Sequence, residues 1–463
     1  MLDYLINLMY VNRPKNKLNR SLGLFALSVI GVSGTVGGGI FVLIGPGAAI
    51  AGEYLPISFI VGGVLALLGS LLYAELGTTI PRSGSSIELV FNTTRKRYYP
   101  FMFSWLVLLG DVSYLTINAL GVAFYANLFI PINPMLIALG AIGLAVAVNM
   151  RNITSTGKAE MLIVSVLVLL LLTFVALGVG SREFAFGVGE FASQMPFEIL
   201  PILAAVSVVF STYIGYEYIA SIAEEAKEPA KNIPRALVLS VLAAMVLFVS
   251  VSFTAVNLVG ADAIAGSGSP LLLAAEQLGS LGVYVVLPAA LIATMGSLLA
   301  STLVSSRRIY ALSRQGYFER AFSPLNANDV PHRSVLAVAI LAVFLLLTNS
   351  IAFVAYISST VYLVVMIVIA LSLLRFRKQR PYLERPFRAP LFPWLPLFLI
   401  ALSALILVFV GLISLLVTVL WLLLGYFVYM ARHITPQSLY LMTWGAMLFL
   451  LMVGVVSVSL LLL

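Results

Sequence analysis

Apolar runs of about 20 residues recur from residue 21 to the end of the chain, and this repetition restricts the fold more than any other feature. A helix of that length crosses the hydrocarbon core of a bilayer. The composition agrees, because 61% of the 463 residues are hydrophobic, only 10% are charged and the mean hydropathy is +1.09, which is too apolar for a soluble core. We therefore predict an all-α integral membrane protein whose surroundings are the lipid bilayer.

The apolar runs predict a core of twelve spans. A thirteenth apolar run follows them near the end of the sequence. Residues 1–20 carry basic charge but no short apolar core with a cleavage site, so we expect a cytoplasmic N-terminal segment and an uncleaved first helix. Residues 21–380 are expected to form a core of ten spans, and residues 381–463 the C-terminal helices. The predicted spans lie near 21–48, 55–80, 99–130, 133–150, 159–180, 196–222, 233–259, 278–313, 333–349, 351–375, 393–411, 414–430 and 438–461.

Lysine and arginine are distributed unevenly between the two sides of these spans. Alternate connections, beginning before the first span, contain 4, 4, 2, 3, 5, 6 and 1 of them, which is 25 of the 26 in the chain, and only Arg182 falls on the other side. Because cytoplasmic loops are enriched in Lys and Arg, this predicts a multi-pass protein of the plasma (cytoplasmic) membrane with a cytoplasmic N-terminus. The same asymmetry accounts for the net charge of +8 without a nucleic-acid partner.

The residue types needed for catalysis are scarce. The chain has no cysteine, and its two histidines, His332 and His433, both fall at loop ends. An enzyme in the membrane would need a nucleophile with a base, or a metal cluster, and no such set is visible. We therefore predict that the protein is not an enzyme and has no cofactor, with sodium or a proton as the possible coupling ion.

Three consecutive glycines, Gly37, Gly38 and Gly39, interrupt the first span. Together they weaken one helical turn by about 2 to 3 kcal/mol, and an unwound stretch survives in a membrane only where it faces protein, water or a bound solute. The alternative is close helix packing, because Gly31, Gly34 and Gly38 also have the spacing of small-residue helix contacts.

A second interruption is predicted in the sixth span, where Ser211, Thr212 and Gly215 surround Tyr213 and Glu217 follows. Breaks in corresponding helices of two halves indicate a transporter binding site. An amino acid suits such a site, since the N-termini of half-helices favour a carboxylate and freed carbonyls accept hydrogen bonds from an ammonium group.

Three motifs together resemble the amino acid, polyamine and organocation (APC) transporter superfamily: GGGIF in the first span, YAELGTTIPRSG after the second, and YIGYE with EEAKEPAKNIPRA at and after the sixth. The resemblance covers the first ten spans. It implies a five-plus-five inverted-repeat (LeuT-like) core with discontinuous first and sixth helices, followed by two or three C-terminal helices, and secondary transport of amino acids.

The resemblance also implies a substrate site. The amides near Gly37, Gly38 and Gly39 would hold the carboxylate, and the carbonyls of Thr35, Ser211 and Ile214 would hold the ammonium group. Thr212 and Gly215 belong to the same second break. Tyr213 would be an aromatic wall or gate, or else an aromatic residue that packs in the core.

Asp111 lies about a dozen residues into the third span, where a charge costs about 2.5 to 3.5 kcal/mol. It could contact a cationic substrate, carry a coupled proton, or accept hydrogen bonds as a structural group. Relatives use the residue after the matching glycine to line the pocket, which favours the first two. Glu217 matches an acidic position of the superfamily and is predicted to stabilise the unwound backbone or to take part in proton coupling.

The coupling ion depends on two further positions. Many members of the superfamily carry a lysine inside the fifth helix in place of a sodium ion, but the matching residue here is Leu167, and Lys158 at the helix start cannot replace it. In the eighth span, Ser301 and Thr302 follow Leu298 and offer oxygen ligands that could hold sodium together with its carbonyl. Such hydroxyls also occur in membrane helices simply as packing residues.

Charged residues at the cytoplasmic helix ends, including Glu75, are expected to form gate salt bridges or solvated caps. The leading hypothesis is a symporter or exchanger of amino acids with alternating access between the broken first and sixth helices. A carrier of cationic amino acids or polyamines is the alternative, and from another class a channel or receptor-like membrane protein, because glycine breaks also line pores.

Overall fold

The computed structural model describes residues 22–79, 90, 94, 98–151, 157–181, 198–222 and 225–433. The predicted N-terminal segment and the thirteenth run lie outside these residues. The described chain is helical, with these elements in order: α1 Leu24–Thr35, α2 Gly39–Ala51, α3 Leu55–Thr79, α4 Tyr98–Ala126, α5 Pro134–Met150, α6 Gly157–Val179, α7 Ile199–Val209, α8 Tyr218–Ser221, α9 Pro229–Val259, α10 Ala261–Ala265, α11 Pro270–Glu276, α12 Gly279–Arg314, α13 His332–Leu346, α14 Ile351–Gln379, α15 Trp394–Leu407 and α16 Leu412–His433.

The membrane character predicted from hydropathy is found in these helices. Among the described residues, eight helical segments are long and apolar enough to cross a membrane, and four shorter apolar helices accompany them. One of the short ones is α1, which is short because the first span is broken after Thr35. The other three, α5, α13 and α15, are continuous helices of 14 to 17 residues.

The helices pack in two groups. In the first group, α9 lies along α3 and α1, and α7 packs against α2 and α3. In the second group, α4 lies along α12, and both contact α5 and α13. The two groups meet where α2 contacts α4 and α12. The second half of the first interrupted span therefore faces α4 and α12 of the second group.

Helix α4 is the most enclosed element, since its most apolar stretch is entirely buried inside the protein. It is joined to α16 by a reciprocal pair of tryptophans. The Trp105 indole donates to the Trp421 carbonyl at 2.8 Å, the Trp421 indole donates to the Trp105 carbonyl at 2.7 Å, and the two rings stack with centroids 4.6 Å apart. This exchange satisfies both polar groups in an apolar setting and attaches the twelfth span to the core.

Glu75 near the end of α3 differs from the expected solvated cap, because only 1% of its side chain is exposed. Its carboxylate accepts hydrogen bonds from Arg377 Nε at 2.8 Å and from the Ala389 amide at 2.8 Å, and Arg385 Nε lies 3.4 Å away. The Arg377 guanidinium also lies 4.0 Å over the Phe392 ring. One buried carboxylate thus holds α3, α14 and the segment that leads into α15 together.

Candidate functional site

The first span is unwound where the glycines predict it. Helix α1 ends at Thr35, α2 begins at Gly39, and Val36 leaves helical geometry with φ −83° and ψ 76°. Within the gap, the Gly37 amide donates to the Thr35 carbonyl at 3.0 Å. The Gly38 amide donates to the hydroxyl of Ser297 on α12 at 3.2 Å. A side chain from a distant helix therefore accepts a hydrogen bond from a backbone group that the break has freed.

The glycines of this break also allow close approach of two other helices. A Cβ atom added at Gly38 would overlap the Asn118 side-chain oxygen of α4 and lie 2.9 Å from the Thr294 Cα of α12. One added at Gly37 would overlap Ser297 Oγ and lie 2.7 Å from the Tyr114 hydroxyl. Unwinding and close packing, the two alternatives offered by the sequence, therefore occur together at the same residues.

The sixth span is interrupted over a longer stretch. Helix α7 ends at Val209, a 3₁₀ turn covers Phe210–Tyr213, Ile214 is extended with ψ 143°, and Gly215 has φ +120°. That φ strains any residue with a side chain, so glycine suits the position. The Gly215 amide donates to Glu217 Oε2 at 2.9 Å, which is the backbone-stabilising role predicted for this carboxylate.

A serine from a later helix reaches this break as well. The Ser211 amide donates to the hydroxyl of Ser359 on α14 at 3.2 Å. The side chains of Ser211 and Thr212 donate back to the carbonyls of Val208 and Val209 at 3.3 and 2.7 Å. Each break thus has one freed amide that is satisfied by a serine hydroxyl of another helix.

The two breaks lie against each other. A Cβ atom at Gly215 would overlap the Gly34 carbonyl oxygen, and one at Gly39 would lie 3.0 Å from Thr212 Cγ2. Because Thr35 and Ser211 are both fully buried, this contact is inside the protein. The structure therefore brings together the backbone of the two segments that the sequence predicts as a substrate site.

The side chain of Tyr213 packs against α3 and α9. Its hydroxyl donates to the Phe59 carbonyl of α3 at 2.6 Å, and its ring packs against Phe248 of α9 with centroids 5.1 Å apart. The side chain is fully buried in this contact. Tyr213 is therefore a core-packing aromatic residue in this structure, which is the second of the two roles predicted for it, and its contact with substrate stays a prediction. The 3₁₀ turn that ends at Tyr213 directs its side chain to α3 and α9, and sequence spacing alone does not reveal this.

Two side chains of α4 complete the surroundings of the first break, and no sequence pattern singled them out. The Tyr114 hydroxyl lies beside Ser297, Asn118 and the Gly39 amide, but it forms no hydrogen bond of good geometry within the described part of the chain. The Asn118 side-chain oxygen also has no partner there, while its amide donates to the Tyr114 carbonyl at 2.7 Å. Both side chains are more than nine-tenths buried. Buried polar atoms without partners next to unwound backbone indicate a place for a polar solute.

Asp111 already has two partners, which the sequence did not predict. Arg308 Nε of α12 donates to Oδ2 at 2.9 Å, and the Tyr362 hydroxyl of α14 donates to Oδ1 at 2.5 Å. The Asp111 side chain is 4% exposed and that of Arg308 17%. Of the three roles considered for Asp111, this geometry favours the structural acceptor, with an arginine as the main donor. Arg308 lies near the cytoplasmic end of the predicted eighth span, where a charge is easily solvated, so its sequence position does not indicate a buried partner.

The proposed ion ligands are close together but are bonded within their own helix. Thr302 Oγ1 donates to the Leu298 carbonyl at 2.7 Å, and Ser301 is buried. This is the packing arrangement considered for such hydroxyls, although the Thr302 oxygen retains lone pairs. Ser297, one turn before Ser301 on the same face, is the residue whose hydroxyl reaches the first break.

Leu167, at the position where many members of the superfamily carry a lysine, is buried among apolar residues.

Comparison with known proteins gives a consistent set of similarities. A family model described as amino acid permease matches residues 22–455. The chain is 25% identical over 447 residues to a branched-chain amino acid permease of Bacillus subtilis (strain 168), which covers 90% of this chain and 95% of the relative. It is 26% identical over 441 residues to a methylthioribose transporter of the same organism, with 90% and 94% covered. An uncharacterised protein of Methanocaldococcus jannaschii is 30% identical over 365 residues, with 76% and 82% covered.

Proposed function

The chain belongs to the amino acid permease family of the APC superfamily, and from this premise we propose that it is a secondary active transporter with alternating access around its two helix breaks. As a member of this family it is an amino acid transporter in a membrane and not an enzyme, as the sequence predicted. We also propose its substrate site, substrate class and coupling ion, and a location in the plasma membrane with a cytoplasmic N-terminus.

The observation that carries the proposal is the contact between the two unwound segments, at Gly34–Gly215 and Gly39–Thr212. The carboxylate of the substrate binds the amides of Gly37, Gly38 and Gly39. The ammonium group of the substrate binds the carbonyls of Thr35, Ser211 and Ile214. Several of these groups are now bonded internally: the Thr35 carbonyl accepts from Gly37, and the Ser211 carbonyl accepts from the Ile214 amide at 3.4 Å. Substrate binding exchanges these hydrogen bonds for bonds to the amino acid, so it does not leave the backbone groups unpaired.

Tyr114, Asn118 and Ser297 supply the side-chain part of the site. The free oxygen of Asn118 accepts a hydrogen bond, and the Tyr114 hydroxyl can donate or accept. Ser297 already accepts from the Gly38 amide and still has its own proton to donate. A carboxylate and an ammonium group match these donors and acceptors without any charged side chain.

The substrate is a neutral amino acid with an apolar side chain. The two acidic side chains near the breaks are both engaged, Asp111 by Arg308 and Tyr362, and Glu217 by the Gly215 amide. A cationic substrate would need one of them free, which makes the lysine, arginine or polyamine alternative less favourable. Two relatives are named as branched-chain amino acid permeases, from Bacillus subtilis and Lactococcus lactis.

The packing supports an inverted repeat. The first group of helices contains spans one, two, six and seven, and the second contains spans three, four, eight and nine. Corresponding spans of the two predicted halves therefore share a group. A site at the boundary of the two groups is exposed to each side of the membrane in turn when the helices around it move.

The function is tested by thermal-shift measurements on the purified protein with the common amino acids, polyamines and methylthioribose, each with and without sodium. We expect branched-chain and other neutral amino acids to stabilise the protein, because a ligand that binds only the folded state raises its stability. In proteoliposomes, saturable uptake and exchange of labelled substrate distinguish a carrier from a channel. Stabilisation by lysine or polyamines alone would overturn the substrate class, and flux that does not saturate would overturn the carrier.

We predict that uptake depends on a sodium gradient more than on a proton gradient. Leu167 provides no titratable group in α6 at the superfamily's lysine position, and the Leu298 carbonyl with the Ser301 and Thr302 hydroxyls provides hard oxygen ligands. Ser301→Ala with Thr302→Val should raise the sodium concentration for half-maximal uptake about tenfold or more, since such changes remove two of the proposed ligands. Ser306→Ala is the control, because that hydroxyl donates to the Leu303 carbonyl of its own helix. Full uptake in sodium-free buffer driven by a pH gradient would contradict the prediction.

A further inference from the structure

We propose that the Asp111–Arg308 pair closes the cytoplasmic end of the substrate path. Arg308 is the positioning residue, and it holds α4 and α12 together on the cytoplasmic side of the two breaks. The proposal rests on the proposed transport function. It assigns a task to a buried ion pair that the substrate site does not use.

The pair joins three helices at a single carboxylate. Arg308 of α12 and Tyr362 of α14 donate to the two oxygens of Asp111 on α4, at 2.9 and 2.5 Å. Neighbouring Gly110 takes part as well, because its carbonyl accepts from the hydroxyl of Ser358 on α14 at 3.4 Å. Separation of α4 from α12 or α14 therefore breaks charge-assisted hydrogen bonds to a buried carboxylate.

The pair also lies next to the site and toward one end of it. Asp111 is one helical turn before Tyr114, whose hydroxyl approaches Gly37. Arg308 follows Ser297 by eleven residues, about 16 Å along α12, in the direction of the predicted cytoplasmic end at Arg314. Asp111 and Arg308 both interact electrostatically with Glu217 and Tyr218, which follow the second break. The ion pair thus lies on the predicted cytoplasmic side of both breaks.

The helix face between the site and the pair has small polar side chains. Ser297, Ser301 and Ser305 follow at four-residue intervals on α12, and Arg308 comes next on the same face. The Ser305 hydroxyl is fully buried and has no hydrogen-bond partner among the described residues. A buried hydroxyl without a partner is satisfied once water enters, which is what opening of a polar path past Ser305 would provide.

Loss of Arg308 alone should favour the state open to the cytoplasm. The Asp111 carboxylate then remains buried without its counter-ion. Water that enters from the cytoplasmic side lowers the free-energy cost of this unpaired charge. Removal of both charges leaves no unpaired ion. The closed state should therefore recover in Asp111→Asn/Arg308→Gln, a response that simple loss of packing volume would not produce.

The chain contains no cysteine, so a single introduced thiol reports accessibility without a background. Ser305→Cys is placed in the wild-type and variant chains, and its reaction with a membrane-impermeant maleimide is measured from the cytoplasmic side of oriented vesicles. We expect Arg308→Gln to raise the rate about tenfold or more, and the double variant to return it toward the wild-type value. Arg307→Gln is the matched control, since Arg307 is the adjacent residue with the same charge but an exposed side chain.

Equal labelling rates in Arg308→Gln and Arg307→Gln would overturn the proposal. If Arg308→Gln does not remain folded, Tyr362→Phe replaces it, because this change removes one hydrogen bond to Asp111 without leaving a charge unpaired. A rate about fivefold above wild type is expected for Tyr362→Phe, and an unchanged rate would overturn the proposal. Substrate binding is measured on the same chains by thermal shift. Binding with unaltered labelling refutes only the closure, whereas a wild-type protein that binds no amino acid refutes the transport site itself.

Discussion

Replacement of Gly38 by alanine is expected to lower substrate affinity about 100-fold, because displacement of a binding group by about 1 Å costs that much. The added Cβ would overlap Asn118 Oδ1 and lie 2.9 Å from the Thr294 Cα. A backbone atom cannot rotate away as a side chain can, so the unwound segment itself must shift. That shift displaces the amides proposed to bind the carboxylate and breaks the Gly38–Ser297 hydrogen bond. Affinity is measured by titration of the purified protein with the amino acid identified in the thermal-shift screen.

Two other glycines make this experiment specific. Gly37→Ala should have a smaller effect, because the atoms it meets are the ends of the Ser297 and Tyr114 side chains. Gly296→Ala on α12 is the control, since Gly296 is adjacent to Ser297 but a Cβ there would meet nothing within 4 Å. Unchanged affinity in a folded Gly38→Ala protein would mean that Gly38 serves helix packing alone.

Glu75→Gln is expected to lower the free energy of unfolding by about 3 to 5 kcal/mol, the usual cost of leaving one member of a buried ion pair without its partner. Glutamine has nearly the same shape as glutamate, so the change removes charge and not volume. Arg377 and Arg385 then remain beside an uncharged group, and the Ala389 amide loses its charged acceptor. The link between α3, α14 and the segment before α15 should loosen first.

The measurement is the apparent midpoint of thermal unfolding in detergent, with Glu228→Gln as the control. Glu228 also forms an ion pair, 3.1 Å from Lys231, but the side chains of both are about two-thirds exposed, at 69% and 68%. Exposed pairs contribute only about 0 to 1 kcal/mol, so Glu228→Gln should change the midpoint far less than Glu75→Gln. Similar midpoints for the two variants would show that the Glu75 cluster is hydrated in solution and does not depend on its charge.

The sequence alone was sufficient for features that depend on a residue and its near neighbours. Mean hydropathy indicated a membrane protein, and the triple glycine placed the first break within the three residues between Thr35 and Gly39. Gly215 lies in the second break at φ +120°, and Glu217 accepts a hydrogen bond from the Gly215 amide two residues away. The three superfamily motifs led to the family to which the chain belongs. Helix propensity, glycine geometry and helix length are local properties, which is why the sequence is enough to predict these features.

Only the tertiary structure decided which partners the polar side chains have. The partners of Asp111 are 197 residues away at Arg308 and 251 residues away at Tyr362, and those of Glu75 are about 300 residues away. Ser297 and Ser359 reach the breaks from α12 and α14, and Tyr213 packs against α3 and α9. Each of these contacts depends on how one helix is rotated and shifted against another. Sequence periodicity shows that a helix has a polar face, but the choice of the facing helix is made by packing of the whole bundle.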